Sequence, residues 1–362
     1  MSSLDLKSEN IIFSIVMPVY GVEAYLDKAI EAILNQTFQN FELILVDDCS
    51  PDGCGHICDI YAAKDERVRV RHLERNGGLS NARNRGFEWS RGKYVWFPDS
   101  DDYYDLDVLE RVYKSLEKNP ADLVVFGLQE DYYDEKGILS YSKRIRMDEH
   151  LIEKQDEVRK AVIELEAKTL YGYAWNKFYK SDRIRKQQLK FEKVTLIEDV
   201  VFNVKYCGDI STMNILDMTP YHYNKRIDNS LTSKFVPEYF KLHRHRVRII
   251  YEQYLAWGMC DLRVKQVLSG IYLRYIMSAL ERNCHGTSNM SVASRKRWVE
   301  ALCEDRLFAN LSLYFKPNNN VNRITGWIIY GKHKVLCLAL GRAIYFVKNK
   351  MPMVFARVKQ KR

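Results

Sequence analysis

Tyr94-Val95-Trp96-Phe97-Pro98-Asp99-Ser100-Asp101-Asp102 is a short apolar run closed by a proline and followed at once by three carboxylates. An apolar run of this length bounded by a turn reads as a strand buried on both faces, the usual state of a parallel strand. Ligands of open α/β sheets gather just beyond the carboxyl ends of such strands. Carboxylates this close repel one another unless positive charge lies between them. A divalent cation with hard oxygen ligands supplies that charge, and one with open positions also holds substrate phosphates. The same acids equally suit a helix N-cap or a solvated turn. The surrounding chain decides between these readings.

Upstream, Phe13 to Val19 (FSIVMPV) predicts a first strand that leaves through Pro18-Val19-Tyr20-Gly21. Val22, Tyr25, Leu26, Ala29, Ile30 and Ile33 then recur at helical spacing. Phe41 to Val46 (FELILV) predicts a second buried strand, and it too ends in acid, at Asp47-Asp48. A loop and helix through Tyr61, a third strand from Val68 to Leu73, the turn Asn76-Gly77-Gly78 and a helix from Ser80 to Trp89 lead into the fourth strand. Strands alternating with helices of this length imply βαβ units and a mainly parallel sheet. Two strands ending in paired acids on one sheet edge imply a site. The opening lacks the glycine patterns of a dinucleotide fold or a phosphate-binding P-loop, which argues against both classes.

SIVMPVYGVEAYLDKAIEAILNQTFQNFELILVDDCSPDG, NGGLSNARNRG and GKYVWFPDSDDYY, in this order, resemble a family 2 glycosyltransferase of the GT-A fold. The resemblance is close over about residues 12–128 and looser to about 235. It implies an α/β, Rossmann-like catalytic domain over 1–235, with a mainly parallel sheet flanked by helices, a nucleotide-sugar half (12–128) and an acceptor half (129–235). It also implies roles. Pro18, Tyr20 and Glu23 match the loop bordering the nucleotide. Asp48 matches the aspartate that hydrogen-bonds the base, commonly uracil, and Arg83 a basic residue near the nucleotide and phosphates. Asp99 falls on the ribose side, Asp101 at the divalent metal (Mn2+ or Mg2+), and Asp102 towards the acceptor. By their own chemistry alone, Pro18 and Tyr20 could shape a turn, Asp48 could cap a helix, Glu23 could be a first-turn acid and Arg83 a surface ion-pair partner.

Further on, Glu198-Asp199 lies in TLIEDVVFN, and Asp199 matches the family's general base. An inverting transfer requires the acceptor hydroxyl to lose its proton as it attacks, and a carboxylate within hydrogen-bond reach accepts it. Glu198 would then orient the acceptor; as a plain acid pair, the two would favour the helix dipole. Trp175-Asn176-Lys177 sits where this subgroup has a similar segment and would line the acceptor pocket, although aromatics such as Tyr171, Tyr173 and Trp175 are also ordinary core residues. His222, Lys225 and Arg226 are candidates to close over the diphosphate. Residues 129–155 read as a hairpin or a loop over the site.

The chain has 362 residues, 46% of them hydrophobic, and a net charge of +9. From Val321 onward there are ten Lys or Arg and no Asp or Glu, so the excess belongs to the tail and the body carries no basic nucleic-acid groove. After a helical region (236–320), this tail (321–362) mixes apolar residues with positive charge, as suits an anionic membrane surface; the rival reading is a docking helix that meets acids of the protein or a partner. Its longest apolar run is too short and too polar to span a bilayer. No secretory leader is expected from MSSLDLKSEN, which places the eight cysteines in a reducing cytoplasm. Cys49, Cys54, His56 and Cys58 do not have the spacing of a structural zinc site. The expectation is a metal-dependent inverting transferase moving a sugar from a nucleotide diphosphate, uridine-linked by that resemblance, to a saccharide or lipid-linked acceptor in surface polysaccharide synthesis, peripheral to the inner face of the cytoplasmic membrane. The alternatives are a nucleotidyltransferase and a non-catalytic nucleotide-sugar-binding or scaffold protein.

Overall fold

Phe13–Val19 (β1) and Phe41–Asp47 (β2) are strands with every side chain buried, as their continuous apolar runs require. Between them α1 (Glu23–Leu34) buries Leu26, Ala29, Ile30 and Ile33 along one stripe. The alternation continues through α2 (Cys54–Lys64), β3 (Val68–His72), α3 (Leu79–Trp89) and β4 (Tyr94–Trp96). β1 pairs in parallel with β2 on one side and β4 on the other, and β2 pairs in parallel with β3. Strand order therefore reverses at β1. The crevice beyond such a reversal is where open α/β sheets bind ligands, and Tyr20-Gly21 and Asp99–Asp102 follow the strands that form it.

This is a computed structural model, which describes residues 11–134, 137–225 and 236–351. The chain divides into two units, Met1–Ser230 and Leu231–Arg362. The first continues with β5 (Tyr103–Tyr104), α4 (Val108–Lys118), β6 (Leu123–Tyr133), β7 (Leu139–Ile145), β8 (His150–Ile152), α5 (Gln155–Ala167), β9 (Lys177–Lys180), α6 (Ser181–Lys186), α7 (Glu198–Tyr206) and β10 (Met213–Lys225). The sheet runs β3-β2-β1-β4-β9-β6-β10-β5, with β7 on β6 and β8 on β10. It is parallel through the βαβ half and mixed beyond it. β10 runs parallel to β6, but β9 is antiparallel to both β4 and β6. The register pairs Trp96 with Phe178, so β9 starts at the site end of the sheet and runs back through it. The segment before β9, residues 168–176, is thereby brought to the site. The stretch 129–155 is partly strand: β6 continues to Tyr133 and β7 turns back on it as a hairpin. Glu135 and Lys136 of its turn lie outside the described residues.

The second unit is helical: α8 (Tyr239–Ala256), α9 (Leu262–Arg282), α10 (Val292–Glu304), α11 (Arg306–Ser312), α12 (Asn320–Tyr330) and α13 (Lys334–Lys350). Side chains of Asp261, Ser291, Asp305 and Asn319 cap α9 to α12 at their N-termini. The tail expected as one amphipathic helix is two, broken at Gly331-Lys332-His333, where Lys332 is left-handed with φ 59°. Gly341 of α13 lies against α9; a Cβ there would stand 2.7 Å from the Leu280 carbonyl oxygen. Lys348 Nζ reaches both carboxylate oxygens of Glu281 at 3.1 Å. Residues 236–320 and 321–351 therefore build one unit, where the sequence boundaries separated them. The final residues 352–362 lie outside the described residues.

Close packing of α3 on the sheet sets the position of its side chains. A Cβ added at Gly86 would come within 2.3 Å of Val16 Cγ1 and 3.0 Å of Val46 Cγ2. Both neighbours are β-branched side chains held in the sheet core, with little freedom to move. Gly86→Ala is therefore expected to destabilise the first unit by about 1–3 kcal/mol through overpacking. A thermal melt at or above the wild-type Tm would contradict this packing.

Candidate active site

α3 carries Arg83 inward, where the guanidinium is 1% exposed between two carboxylates. Its Nη2 lies 2.9 Å from Asp99 Oδ1 and its Nη1 lies 2.5 Å from Asp199 Oδ1. The bridge joins the acids after β4 to the start of α7. Burial opposes the guanidinium charge, but Asp199, Asp99 and Glu198 outweigh it and hold Arg83 firmly protonated. It is not the surface arginine of the bland reading. Both terminal nitrogens serve carboxylates, while its Nε is buried without a hydrogen-bond partner.

Desolvation in the cleft pushes Asp99 up to about 7; Arg83 opposes this, while Asp101 and Asp199 add to it. Asp101 is half-buried beside it. This donor set, two neighbouring carboxylates, has the chemistry to take a hard divalent cation. Among the described residues no group of three or more His, Cys, Asp or Glu is placed to hold a metal unaided, so further ligands would have to come from a bound substrate or water. Ser100 Oγ donates to the Pro18 carbonyl at 2.7 Å, tying this acidic turn to the loop after β1. Tyr20 in that loop is 50% exposed and presents its ring to solvent.

Asp48 is buried, and its two carboxylate oxygens accept from Gly77 N at 2.8 Å and Gly78 N at 2.7 Å. It clamps the Asn76-Gly77-Gly78 turn, in which Gly78 has φ +85°. The helix-cap reading fails, and any base contact would be additional to the clamp. Glu23 accepts from Gly53 N at 2.9 Å, while its own N–H donates to Asp52 at 3.1 Å. These bonds order the rim of a cavity of about 480 Å³ lined by Gly21, Val22, Glu23, Ala24, Tyr25 and Asp52.

Asp199 Oδ2 accepts from Ala174 N at 2.8 Å, so the loop before β9 completes the setting of this carboxylate. Glu198 is different. Its Oε2 is buried without a hydrogen-bond partner, and burial followed by the charge of Asp199 pushes its carboxyl up to about 7.

Several expected acceptor-side residues are placed otherwise. Asp102 is buried and accepts from Tyr221 Oη at 3.0 Å and Asn224 N at 2.9 Å, fastening the acidic turn to β10 and facing no acceptor. Lys177 is fully buried, its ammonium donating to the Leu170 and Tyr173 carbonyls and to Asn176 Oδ1 at 2.8, 2.6 and 2.8 Å. It ties the 168–176 segment together and does not line a pocket. Trp175 is 3% exposed, stacked between Tyr173 at 4.4 Å and Tyr221 at 4.0 Å. His222 points to the far face of β10, since neighbours on a strand alternate. There it bridges Asp131 at 3.1 Å and Asp105 at 3.0 Å and stacks on Tyr103, so it does not close over a diphosphate. Arg226 lies outside the described residues. Tyr221, Asn224 and the Ala174 N–H were not singled out from sequence; only the strand alternation of Tyr221-His222-Tyr223 hinted at the first.

Residues 14–192 match the sequence family described as glycosyl transferase family 2. The "uncharacterized glycosyltransferase EpsJ" of Bacillus subtilis is 28% identical over 297 residues, covering 81% of this chain and 83% of that protein. The minor teichoic acid biosynthesis protein GgaB of the same organism is 34% identical over 230 residues, covering 62% of this chain and only 24% of that protein. The fold is shared with the crystal structure of Staphylococcus aureus TarS residues 1–349 in complex with UDP-GlcNAc, at a TM-score of 0.62 and 20% identity over 94% of this chain and 92% of that one. The fold is of the GT-A type. Residues 14–192 belong to glycosyl transferase family 2, and the protein is a glycosyltransferase.

The elevated Glu198 carboxyl has a consequence for stability. With a folded value of about 7 against the ordinary 4.5, ionising it works against folding. The penalty is absent below about pH 4.5, grows as pH rises and is complete above about 7. Glu198→Gln is expected to melt above the wild type at pH 8, with the difference closing towards pH 5. Parallel melting curves of the two proteins across that range would refute the assignment.

Proposed function

We propose that the chain transfers a sugar from a uridine diphosphate sugar, with inversion, to a saccharide or lipid-linked saccharide acceptor in surface polysaccharide assembly. The observation that carries this reading is the Arg83 bridge, which gathers the donor-side Asp99 and the candidate base Asp199 about one buried cation. Asp199 takes the proton of the acceptor hydroxyl as that oxygen bonds to the anomeric carbon; the bond from that carbon to the diphosphate oxygen breaks, and the nucleoside diphosphate departs. Arg83 and the Ala174 N–H hold the Asp199 carboxylate in place and aimed, and each carboxylate oxygen keeps a lone pair for the incoming proton. Asp101, with Asp99 beside it, would hold Mn2+ or Mg2+, which when bound offsets the charge developing on the leaving diphosphate.

Uridine is supported by the likeness to TarS, whose crystal structure contains UDP-GlcNAc, and that likeness also favours an N-acetylhexosaminyl or hexosyl donor. Surface polymer synthesis is supported by the resemblance to GgaB. A second assignment of the base has one observation in its favour: Glu198 offers a buried oxygen with no partner.

Attachment to the inner face of the membrane belongs to the same reading. Ile324 and Trp327 on α12, and Val335 and Phe346 on α13, are exposed among the tail's positive charges. No described helix is long and apolar enough to cross a membrane, so the contact would be interfacial, with Trp327 suited to the headgroup level.

Calorimetry with UDP and GDP, each with and without Mn2+, tests the donor site. UDP binding that needs the metal and disappears in Asp101→Ala is the expected result; preferential GDP binding overturns the uridine assignment. For the base, Asp199→Asn should keep UDP binding while transfer falls by about 10²–10⁴-fold. A comparable loss in Glu198→Gln with Asp199→Asn active would reverse the two roles. For the tail, flotation with phosphatidylglycerol-containing vesicles should recover the protein, phosphatidylcholine vesicles should not, and 0.5 M salt, a concentration of roughly 5 Å or less screening length, should release it. Equal recovery with both lipids overturns the anionic-surface reading.

A further inference from the structure

Strand register sorts the side chains of the β10–β6–β7 ribbon onto two faces. Tyr221, Tyr223 and Lys225 of β10 stand opposite Leu128, Glu130 and Tyr132 of β6, which stand opposite Ile145, Lys143 and Tyr141 of β7. Side chains two apart share a face, so these nine residues form three rows on one surface. The intervening residues form the other surface. There Asp131 accepts from Tyr103 Oη and Gln129 Nε2 and pairs with His222, and Arg144 donates to Gln129, giving an interlocked polar patch.

The first surface begins at the active site. Tyr221 donates to Asp102 and receives the Asp99 N–H, and Trp175 lies 4.0 Å from its ring and 5.7 Å from that of Tyr223. Outward, Lys225 Nζ sits 2.6 Å from Glu130 Oε1, 5.2 Å from the Tyr223 ring centre and 5.4 Å from that of Tyr132. Tyr132 stacks on Tyr141 at 4.3 Å with 11° between the rings. Tyr223, Lys225, Tyr132 and Tyr141 are only half-buried and Lys143 is exposed. A continuous track of rings, punctuated by one cation and one carboxylate, thus leads away from the catalytic acids. Four residues of strand separate its first and third rows, roughly 13 Å, which exceeds a single sugar ring.

We propose that this surface is an acceptor subsite for a saccharide chain of two or more sugars, laid from the catalytic carboxylates over Tyr223 to Tyr132 and Tyr141. The inference rests on the glycosyltransferase reading and adds the acceptor's extent. Sugar rings have apolar faces that lie on aromatic rings and hydroxyl edges that seek charged or polar partners, and this track alternates the two. Its continuity with the acidic turn selects a saccharide over a peptide, which would pair with the free backbone edge of β7 and leave the ring face unused.

The test uses the full chain with UDP and Mn2+. β-Linked glucose, N-acetylglucosamine and galactose oligosaccharides of one to four residues are examined by saturation-transfer NMR. Binding is expected to strengthen with length in at least one series. Tyr132→Ala or Tyr141→Ala should weaken the four-residue member about tenfold, while the phenylalanine variants, which keep the ring, should bind it nearly as wild type. Equal binding of one and four residues, survival of the length effect in both alanine variants, or no binding by any oligosaccharide overturns the subsite. Calorimetry with UDP on the same wild-type sample separates the two readings: loss of the length effect with UDP bound rejects the subsite alone, whereas failure to bind UDP rejects the donor site.

Discussion

A guanidinium with almost no exposure, held between Asp99 and Asp199, is the contact on which the rest of the first unit turns. Those carboxylates belong to segments far apart in sequence, one at the end of a central parallel strand and the other at the first turn of α7. Each alone would resist burial, and a buried charge without its partner is strongly destabilising. Arg83 makes the two acids mutually tolerable and fixes their separation. The contact therefore links packing to chemistry: Gly86 lets α3 approach Val16 and Val46, the approach sets Arg83, and Arg83 sets the acids.

A second tier of hydrogen bonds holds the acidic turn in place. Ser100 ties it to the loop after β1, and Asp102 ties it to β10 through Tyr221 and Asn224. Asp48 clamps the glycine turn before α3. These bonds draw from three separate segments of the chain. Asp101 and Asp99 are thereby presented on a braced turn, which is what a site needs if it is to meet substrate without reorganising.

The strands and the acids at their ends were legible in the sequence because burial on both faces leaves a plain mark, a continuous apolar run, and because FELILVDD and YVWFPDSDD share it. The resemblance to family 2 glycosyltransferases added the identity of the acids. What was not legible is how each polar group is already engaged. Nothing in Trp175-Asn176-Lys177 announces that three acceptors from its own segment converge on one ammonium. Nor does Asp102 announce a partner more than a hundred residues away. The antiparallel course of β9 was equally hidden, since period-two patterning and burial do not encode direction. The break of the tail at Gly331 was visible as a glycine followed by basic residues, but the mix of apolar and positive residues runs through it without a change.

The side-by-side carboxyls Glu198 and Asp199 carry the last step. They are neighbours on one helical turn, yet their surroundings differ. Asp199 accepts from a buried guanidinium and from a backbone N–H. Glu198 has burial, the charge of Asp199 beside it and an oxygen with no donor, all of which favour its neutral form despite Arg83. On the proposed mechanism, Asp199 receives the acceptor's proton, and Glu198, while protonated, can donate a hydrogen bond to a substrate oxygen without adding negative charge to a site that already awaits a diphosphate. The division of labour follows from what each carboxyl touches, and both environments are set by the single arginine that α3 delivers between them.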